Sequence, residues 1–235
     1  LRVQHLDAAG HPLLPLNGIP IRNLSGQEMI GYLYAGVPDG AGGGVWADVS
    51  ALGDVRVWRL NGQGRMQWLW TDDPPDPYPG VRDMIRHPDG TIWVVVAEQT
   101  LERVIYRFTS EGHQLFGQGV AYTGLWGGYL APNGSGVISI NYNLHSPLQN
   151  ICAFGINNRG LFDWISDVAL IPGGGEAIYS VTANELEGAV VAWEDLRGGY
   201  LNHDIVAQRV LSNGQLGIPT QYHPPTEPNI DSSTP

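Results

Sequence analysis

The chain has 235 residues, 43% of them hydrophobic, and carries a formal net charge of −11 at pH 7. All-β domains often reach about 200–250 residues, so this chain has room for a single domain with a sizeable core. The acidic charge argues against nucleic-acid and anionic-membrane partners, because proteins usually bind both through a basic surface. With 32 Gly, 17 Pro and only 15% charged residues, the composition favours short strands and tight turns over long helices.

The single cysteine, Cys152, excludes an internal disulfide. It lies in an apolar run, which predicts a buried and unreactive thiol. No run approaches the roughly 18 consecutive apolar residues of a membrane-spanning helix, so we expect no membrane insertion. The sequence also shows no signal-peptide pattern.

Five polar turns that close with glycine recur along the chain, their glycines 48 or 54 residues apart. Each turn follows an apolar strand. We expect the closing glycine at positive φ, where a Cβ would clash. The turns are residues 7–10, 61–64, 109–112, 157–160 and 211–214.

The strand before each of these turns is apolar on both faces. The fourth residue before the closing glycine is always apolar: Leu6, Leu60, Phe108, Ile156 and Val210. The seventh is always small to medium and apolar: Val3, Val57, Ile105, Ala153 and Ala207. The two positions differ in parity, so they lie on opposite faces of the strand, and a layer packs on each side.

A second turn, of Pro-Asp-Gly or Pro-Asn-Gly type, lies between these hairpins at residues 37–40, 87–90 and 131–134, with a degenerate copy at 185–188. A β-rich run follows each one, which gives a repeat of four strands. Four-stranded units of about 45–50 residues in series predict the blades of a β-propeller.

We therefore predict an all-β propeller with four complete four-stranded blades and an N-terminal half blade, nominally five-bladed. Third and fourth strands occur five times, whereas first and second strands occur only four times. The half blade spans residues 1–21 and the blades span about 27–70, 80–117, 125–165 and 176–219. Residues 220–235, rich in Pro, Ser and Thr, are expected to form a tail or linker.

The half blade lacks its inner pair of strands, which would leave several apolar side chains half covered. We expect them to form an assembly edge, because an open sheet edge is a template for pairing. The missing strands belong either to a longer polypeptide of which this chain is a part, or to another polypeptide or a second copy. The side chains of this edge are Val3, Leu6, Leu13, Leu14 and Leu16.

The stretch VVAWEDLRGGYLNHDIVAQRVLSNGQLG, residues 190–217, resembles the propeller repeats of large secreted and surface proteins of environmental bacteria. The match includes Trp193, Glu194, Asp204 and Arg209. Residues 86–117 are similar to sensor periplasmic propellers and NHL-type repeats. This resemblance implies an extracellular or cell-surface location, with the periplasm as the alternative, and says less about activity.

The loop of residues 68–83 departs from the repeat and is the predicted ligand site. Aromatic rings beside carboxylates suit stacking on a sugar, and the prolines would hold the loop ordered before binding. The alternative is a stiff connector whose tryptophans fill gaps between blades. The candidate residues are Trp68, Trp70, Asp72, Asp73, Asp76, Tyr78 and Asp83.

A recurrent cation marks the third strands, five residues before the closing glycine. Arg59, Arg107 and Arg209 hold this position, while His5 and Gly155 replace the arginine in the other two units. We expect each arginine to pair with an acid of a neighbouring blade.

The predicted inner strands contain one central acid, Asp83, whereas glycosidases use two carboxylates. The histidines show no metal-ligand spacing, and we expect no cofactor and no metal. We therefore expect a non-catalytic module for recognition or assembly within a larger surface or secreted protein, with glycan binding and filament formation as candidate roles. The alternative is a glycoside hydrolase-like propeller acting on polysaccharide.

Overall fold

The computed structural model describes residues 1–72, 79–97, 102–143, 150–170, 178–183, 188–195 and 204–217. Within these ranges every regular element is a β-strand. An N-terminal unit contains β1 (Arg2–Val3) and β2 (Ile19–Pro20). The first sheet contains β3 (Gly31–Pro38), β4 (Gly44–Ser50), β5 (Val55–Leu60) and β6 (Met66–Asp72).

The second and third sheets repeat this arrangement. The second contains β7 (Gly80–Arg86), β8 (Ile92–Ala97), β9 (Glu102–Phe108) and β10 (Val120–Thr123). The third contains β11 (Leu125–Asn133), β12 (Gly136–Asn143), β13 (Asn150–Ile156) and β14 (Phe162–Leu170). The described part of the fourth contains β15 (Ile178–Ala183), β16 (Gly188–Asp195) and β17 (Asp204–Leu211).

Each sheet is an antiparallel meander in which neighbours in sequence are neighbours in space. The first strands of successive sheets pack on one another, from β3 to β7, β7 to β11 and β11 to β15. Sheets stacked face to face around their first strands are the blades of a β-propeller. The predicted fold class, an all-β propeller of four blades with an N-terminal half blade, is confirmed. In the fourth blade a bridge between Val210 and Leu216 continues the sheet beyond β17.

The five predicted turns share one geometry. Their glycines, in chain order, have φ of 84°, 73°, 86°, 78° and 83°. Each glycine N–H donates to the carbonyl of the first residue of its turn. In the turns that begin with Asn61 and Asn157, the side-chain oxygen also accepts two main-chain N–H groups, which fixes the turn locally.

The blades are apolar on both faces, as the two recurrent positions predict. Leu60 packs with Ile21 and Met29 of the N-terminal segment. Val57, on the opposite face, packs with Phe108 of the second sheet. The fourth residue before the closing glycine therefore faces the preceding unit, and the seventh faces the following one. Each such buried side chain contributes about 1.5–3 kcal/mol through removal of apolar surface from water.

Some outer strands do not follow their hairpin directly. After the turn at 109–112, the chain forms one bridge, from Phe108 to Gln114, and a further turn before β10 begins at Val120. This strand lies outside the limits 80–117 that the sequence indicated for the blade. The N-terminal unit behaves alike, with a bridge from Leu6 to Pro12 before β2.

Cys152 is buried in β13. Burial raises the pKa of its thiol to about 12, so the thiol is protonated at neutral pH. This confirms the buried thiol that the apolar run predicts. The described residues contain no helix long and apolar enough to cross a membrane. The predicted tail, residues 220–235, lies outside the described residues.

Candidate functional site

The aromatic residues at the start of the predicted loop lie on β6 and face the second sheet. The ring of Trp68 stacks on Phe108 with centroids 6.2 Å apart. The ring of Trp70 lies 4.8 Å from Tyr106 and 5.1 Å from Phe108. Both indoles therefore pack in the joint between the first two sheets. Asp73, Asp76 and Tyr78 lie outside the described residues.

The polar groups of this part of the chain also contact the second sheet. Trp68 Nε1 donates to the Ser110 carbonyl over 2.9 Å, and the Tyr106 hydroxyl donates to the Asp72 carboxylate. For Trp68 and Trp70 this packing matches the connector interpretation of the loop. The ligand role of the loop as a whole stays a prediction.

Asp83 lies on β7, the first strand of its sheet, whereas Trp68 and Trp70 lie on the last strand of theirs. One carboxylate oxygen of Asp83 accepts the Leu130 N–H over 2.7 Å, and the other accepts the Met84 N–H over 2.8 Å. Burial raises the pKa of Asp83 above its ordinary value. The Asp83 side chain thus links β7 to β11 by a hydrogen bond. It lies on a first strand, whereas the two tryptophans lie on a fourth strand.

The N-terminal half blade has an edge with which none of the described strands pairs. The Ile21 N–H donates to the Leu1 carbonyl, and the Leu13 N–H donates to the His5 carbonyl, on the side of β2. Main-chain polar groups alternate in direction along a strand, so those of Arg2 and Gln4 point to the other side. The described residues place no strand there.

The apolar side chains of the half blade divide into a covered and an uncovered set. Val3 packs against the first sheet. Leu6 is 51% exposed, whereas its counterpart Leu60 is 1% exposed. The counterparts in the other blades, Phe108, Ile156 and Val210, are equally buried. Leu6 is uncovered because no described residue packs on its side of the half blade.

The return segment of the half blade shows the same division. Leu14 is half buried, whereas Leu13 and Leu16 are exposed. The five predicted edge residues therefore comprise two that contact the rest of the fold and three that face outwards. That they bind another polypeptide stays a prediction.

A cleft of about 410 Å³ lies between the half blade and the first sheet, beside the open edge. His5, Leu14, Asn61 and Gly62 contribute to its lining. His5 Nδ1 lies 3.1 Å from the Gly62 carbonyl, so this nitrogen carries the hydrogen.

A smaller part of the cleft reaches Trp46 of β4, whose ring stacks on Trp58 at 5.0 Å. On the face of the first sheet that carries Trp46, the described residues also leave part of β3 uncovered. Leu33 on β3 pairs with Asp48, two residues from Trp46, so Leu33 and Trp46 share one face of the sheet. Leu33 and Tyr34 are each 52% exposed, and Tyr32 is 73% exposed. The unpaired edge of β1, the cleft and the exposed Leu33 surround one region. An inner strand pair of the half blade would occupy this region.

A recurrent hydrogen bond joins each blade to the next. Arg59 forms an ion pair of 2.8 Å with Asp39 in its own blade, and its Nη1 donates to the Ser110 carbonyl in the following blade. The predicted pairing with a neighbouring blade's acid is therefore wrong. The second and third strands pair directly, which places the arginine beside the Pro-Asp-Gly turn of its own blade.

Arg107 repeats this arrangement. It pairs with Asp89 of its own blade at 2.9 Å, and its Nη1 donates to the Asn158 carbonyl of the following blade over 2.8 Å. Ser110 and Asn158 are each the second residue of a glycine-closed turn. Gly62, which accepts from His5 in the half blade, holds the same position.

The third blade makes the joint with a tryptophan and without an arginine, in the same way as Trp68 of the first blade does beside Arg59. Trp164 Nε1 donates to the Ser212 carbonyl over 2.8 Å, again at the second residue of the next turn. Gly155 replaces the arginine here, and a Cβ on it would lie 2.6 Å from Trp164 Nε1. The glycine thus provides the space for the indole. Sequence reasoning missed this, although a glycine at an arginine position is a readable signal.

No family model matches the chain, and no curated protein matches it. Among solved structures, it is similar to a protein of unknown function from Bacteroides caccae, with 14% identity and a TM-score of 0.45 over 74% of this chain. It spans 58% of the length of that protein.

Two further structures are similar at low identity. The calcium-binding protein regucalcin from Agrobacterium tumefaciens has 12% identity and a TM-score of 0.39, covering 81% of this chain and 74% of that one. A bifunctional GH43-CE protein from Bacteroides eggerthii has 11% identity and a TM-score of 0.43, covering 84% and 27%. Within the described residues of the present chain, no group of three His, Cys, Asp or Glu side chains is placed to hold a metal ion.

Proposed function

We propose that this propeller is a non-catalytic recognition or assembly module of a larger secreted or cell-surface protein. Its N-terminal half blade binds an extended segment of another polypeptide. The observation that carries the proposal is the edge of β1 on which the described residues place no strand, together with the 52% exposure of Leu33 on the adjoining first sheet.

The binding mode is addition of strands to the sheet of β1. The main-chain groups of Arg2 and Gln4 supply the ladder hydrogen bonds, and alternate side chains of the partner pack on Trp46 and Leu33. Specificity comes from the partner side chains that reach the cleft beside His5 and Gly62. Main-chain bonds alone would accept any extended segment.

The secreted location rests on the resemblance of residues 190–217 to repeats of bacterial surface proteins. The acidic composition fits that setting, since 23 Asp and Glu side chains outnumber 12 Arg and Lys side chains, all of which are arginine. A glycan ligand on the loop of residues 68–83 and growth into filaments are further roles of the same module. The alternative, a glycoside hydrolase-like enzyme, places its chemistry on Asp83.

A hairpin peptide from the chain itself tests the proposal. Residues 80–97 contain the first and second strands of the second blade, which is the strand pair that the half blade lacks. We expect the labelled peptide to bind the protein in a fluorescence anisotropy titration. A control peptide with Val94→Pro and Val96→Pro cannot form the ladder and should not bind.

A matched pair of protein variants locates the binding. Leu33→Asp places a charge on the uncovered face and should weaken binding about tenfold or more. Leu52→Asp, in an exposed turn of the same blade, should leave it unchanged. Absence of peptide binding, or equal binding of the proline peptide, contradicts the proposal.

A further inference from the structure

The fourth blade has an uncovered face. In the other blades, the third-strand residues that face the following unit are buried, as Val55 and Val57 are in β5. At the corresponding positions of β17, Ile205 is 68% exposed and Ala207 is exposed. Nothing in the described structure packs on this side of the blade.

Arg209 holds the recurrent arginine position on the same face. Arg59 and Arg107 use this position to reach the turn of the next blade. The Nε of Arg209 is buried and has no hydrogen-bond partner in the described structure. We call the surface formed by Ile205, Ala207 and Arg209 the following face.

The N-terminal half blade carries the complementary half of such a joint. Its turn, residues 7–10, has the same hydrogen bonds as the turns at the internal joints. Ala8 is the second residue of this turn, and its carbonyl accepts no hydrogen bond within the described residues. Leu6 beside it is exposed, whereas its counterpart Phe108 packs against Val57 of the preceding blade. We call the surface formed by Leu6 and residues 7–10 the leading face.

The two faces do not meet within the described chain. First-strand contacts run from β3 to β15, and no comparable interface among the described residues joins β15 back to β3. Each face nevertheless carries what its opposite lacks, because the four internal joints are built from the same pair of surfaces. Within the described residues, Arg209 Nε therefore has no acceptor and the Ala8 carbonyl has no donor, and the two groups lie on the last and first units of one protein.

We propose that copies of this chain associate head to tail, with the following face of one copy bound to the leading face of the next. Arg209 donates to the carbonyl of Ala8, and Ile205 and Ala207 cover Leu6. The contact joins two different surfaces, so it is heterologous and can propagate into a ring or a filament. The inference rests on the assembly role proposed above and names the partner as a second copy.

Complementation between two capped variants tests this arrangement. Leu6→Asp caps the leading face and Ile205→Asp caps the following face, and both residues are exposed, so each variant should keep the fold. We expect wild-type protein to form oligomers that grow with concentration in sedimentation velocity. Each variant alone should be monomeric, and their equimolar mixture should form a dimer, because each retains the face that the other has lost.

Further variants separate the proposed hydrogen bond from the apolar contact. Arg209→Ala should weaken the mixed dimer about tenfold or more, since a charge-assisted hydrogen bond is lost. Leu52→Asp, an equal charge change at an exposed leucine in the turn between β4 and β5, should not alter it. Circular dichroism and thermal melting show whether each variant is folded.

The outcomes also separate this inference from the proposed function. Both capped variants keep the edge of β1 and should still bind the peptide of residues 80–97. A monomeric wild-type protein that binds the peptide overturns the head-to-tail contact alone. A mixture of capped variants that stays monomeric does the same.

Discussion

Arg107 Nη1 lies 2.8 Å from the carbonyl oxygen of Asn158, which is 51 residues further along the chain and belongs to the next blade. The same guanidinium pairs with Asp89 of its own blade and lies over the ring of Trp93 at 5.1 Å. One side chain therefore links the turn before the second strand, the third strand and the following blade. The joint recurs because the turn that supplies the carbonyl recurs.

Removal of this link should destabilise the propeller more than removal of a surface ion pair. We expect Arg107→Ala to lower the free energy of unfolding by about 2–3 kcal/mol, through loss of charged hydrogen bonds in a buried joint. Arg22→Ala breaks the exposed pair with Glu28 and should cost about 0–1 kcal/mol. Urea unfolding measures both. Equal losses would show that the joint contributes no more than a surface pair.

Acid should weaken the joint of Arg107. Burial raises the pKa of Asp89, but hydrogen bonds from Thr91 and His87 outweigh it and lower the pKa to about 2. This folded-state pKa lies below the ordinary value of 3.8, so the ionised carboxylate stabilises the fold above that value. The stabilisation is lost as the pH falls from 3.8 towards 2. Asp89→Asn should show a shallower decline of unfolding free energy over that window, and identical pH profiles would contradict the assignment.

The close packing of Gly155 against Trp164 can be tested directly. Gly155→Ala places a Cβ against Trp164 Nε1, so the indole must shift away from the Ser212 carbonyl. We expect a loss of about 1–3 kcal/mol by urea unfolding. Gly80→Ala, in a strand position with open space, serves as the matched control and should be close to neutral. In a Trp164→Ala background the cost of Gly155→Ala should largely disappear.

Asp83 distinguishes a structural role from the enzymatic alternative. Asp83→Asn should lower the free energy of unfolding by about 1–3 kcal/mol, because the Leu130 N–H loses its charged acceptor. We expect the wild-type protein to hydrolyse no polysaccharide in a reducing-sugar assay. Turnover that vanishes in Asp83→Asn, with the fold retained, would reverse this conclusion.

The ligand role of the loop should be tested without disturbing Trp68 and Trp70, which pack in a joint. We expect Tyr78→Ala combined with Asp76→Asn to reduce glycan binding about tenfold or more on an array, while Trp70→Phe tests the packing separately. Binding that ignores the changes at Tyr78 and Asp76 would leave the loop as a connector.

The exposed Leu6 and the partners of the arginines mark what sequence reasoning did not reach. The pattern predicts a covering layer at Leu6 as it does at Leu60, yet Leu60 is buried and Leu6 is exposed. The apolar pattern shows which face of a strand would be buried by a neighbouring layer. It does not show whether that layer is present. The candidate ligand loop gives a second example. The sequence identifies its aromatic residues, but it does not indicate that the rings of Trp68 and Trp70 pack against the second sheet.

The strand order, the turns and the two apolar faces of each third strand follow from the sequence alone. These depend on local chemistry: a glycine at positive φ closes each turn, and alternation along a strand assigns each side chain to a face. The tertiary structure was needed to show that Arg59 and Arg107 bind their own blade's acid and the next blade's carbonyl, and that no described strand pairs with the second edge of β1. Those relationships depend on how sheets about 50 residues apart in sequence stack on one another. No local pattern specifies that stacking, because one apolar face accepts any complementary layer.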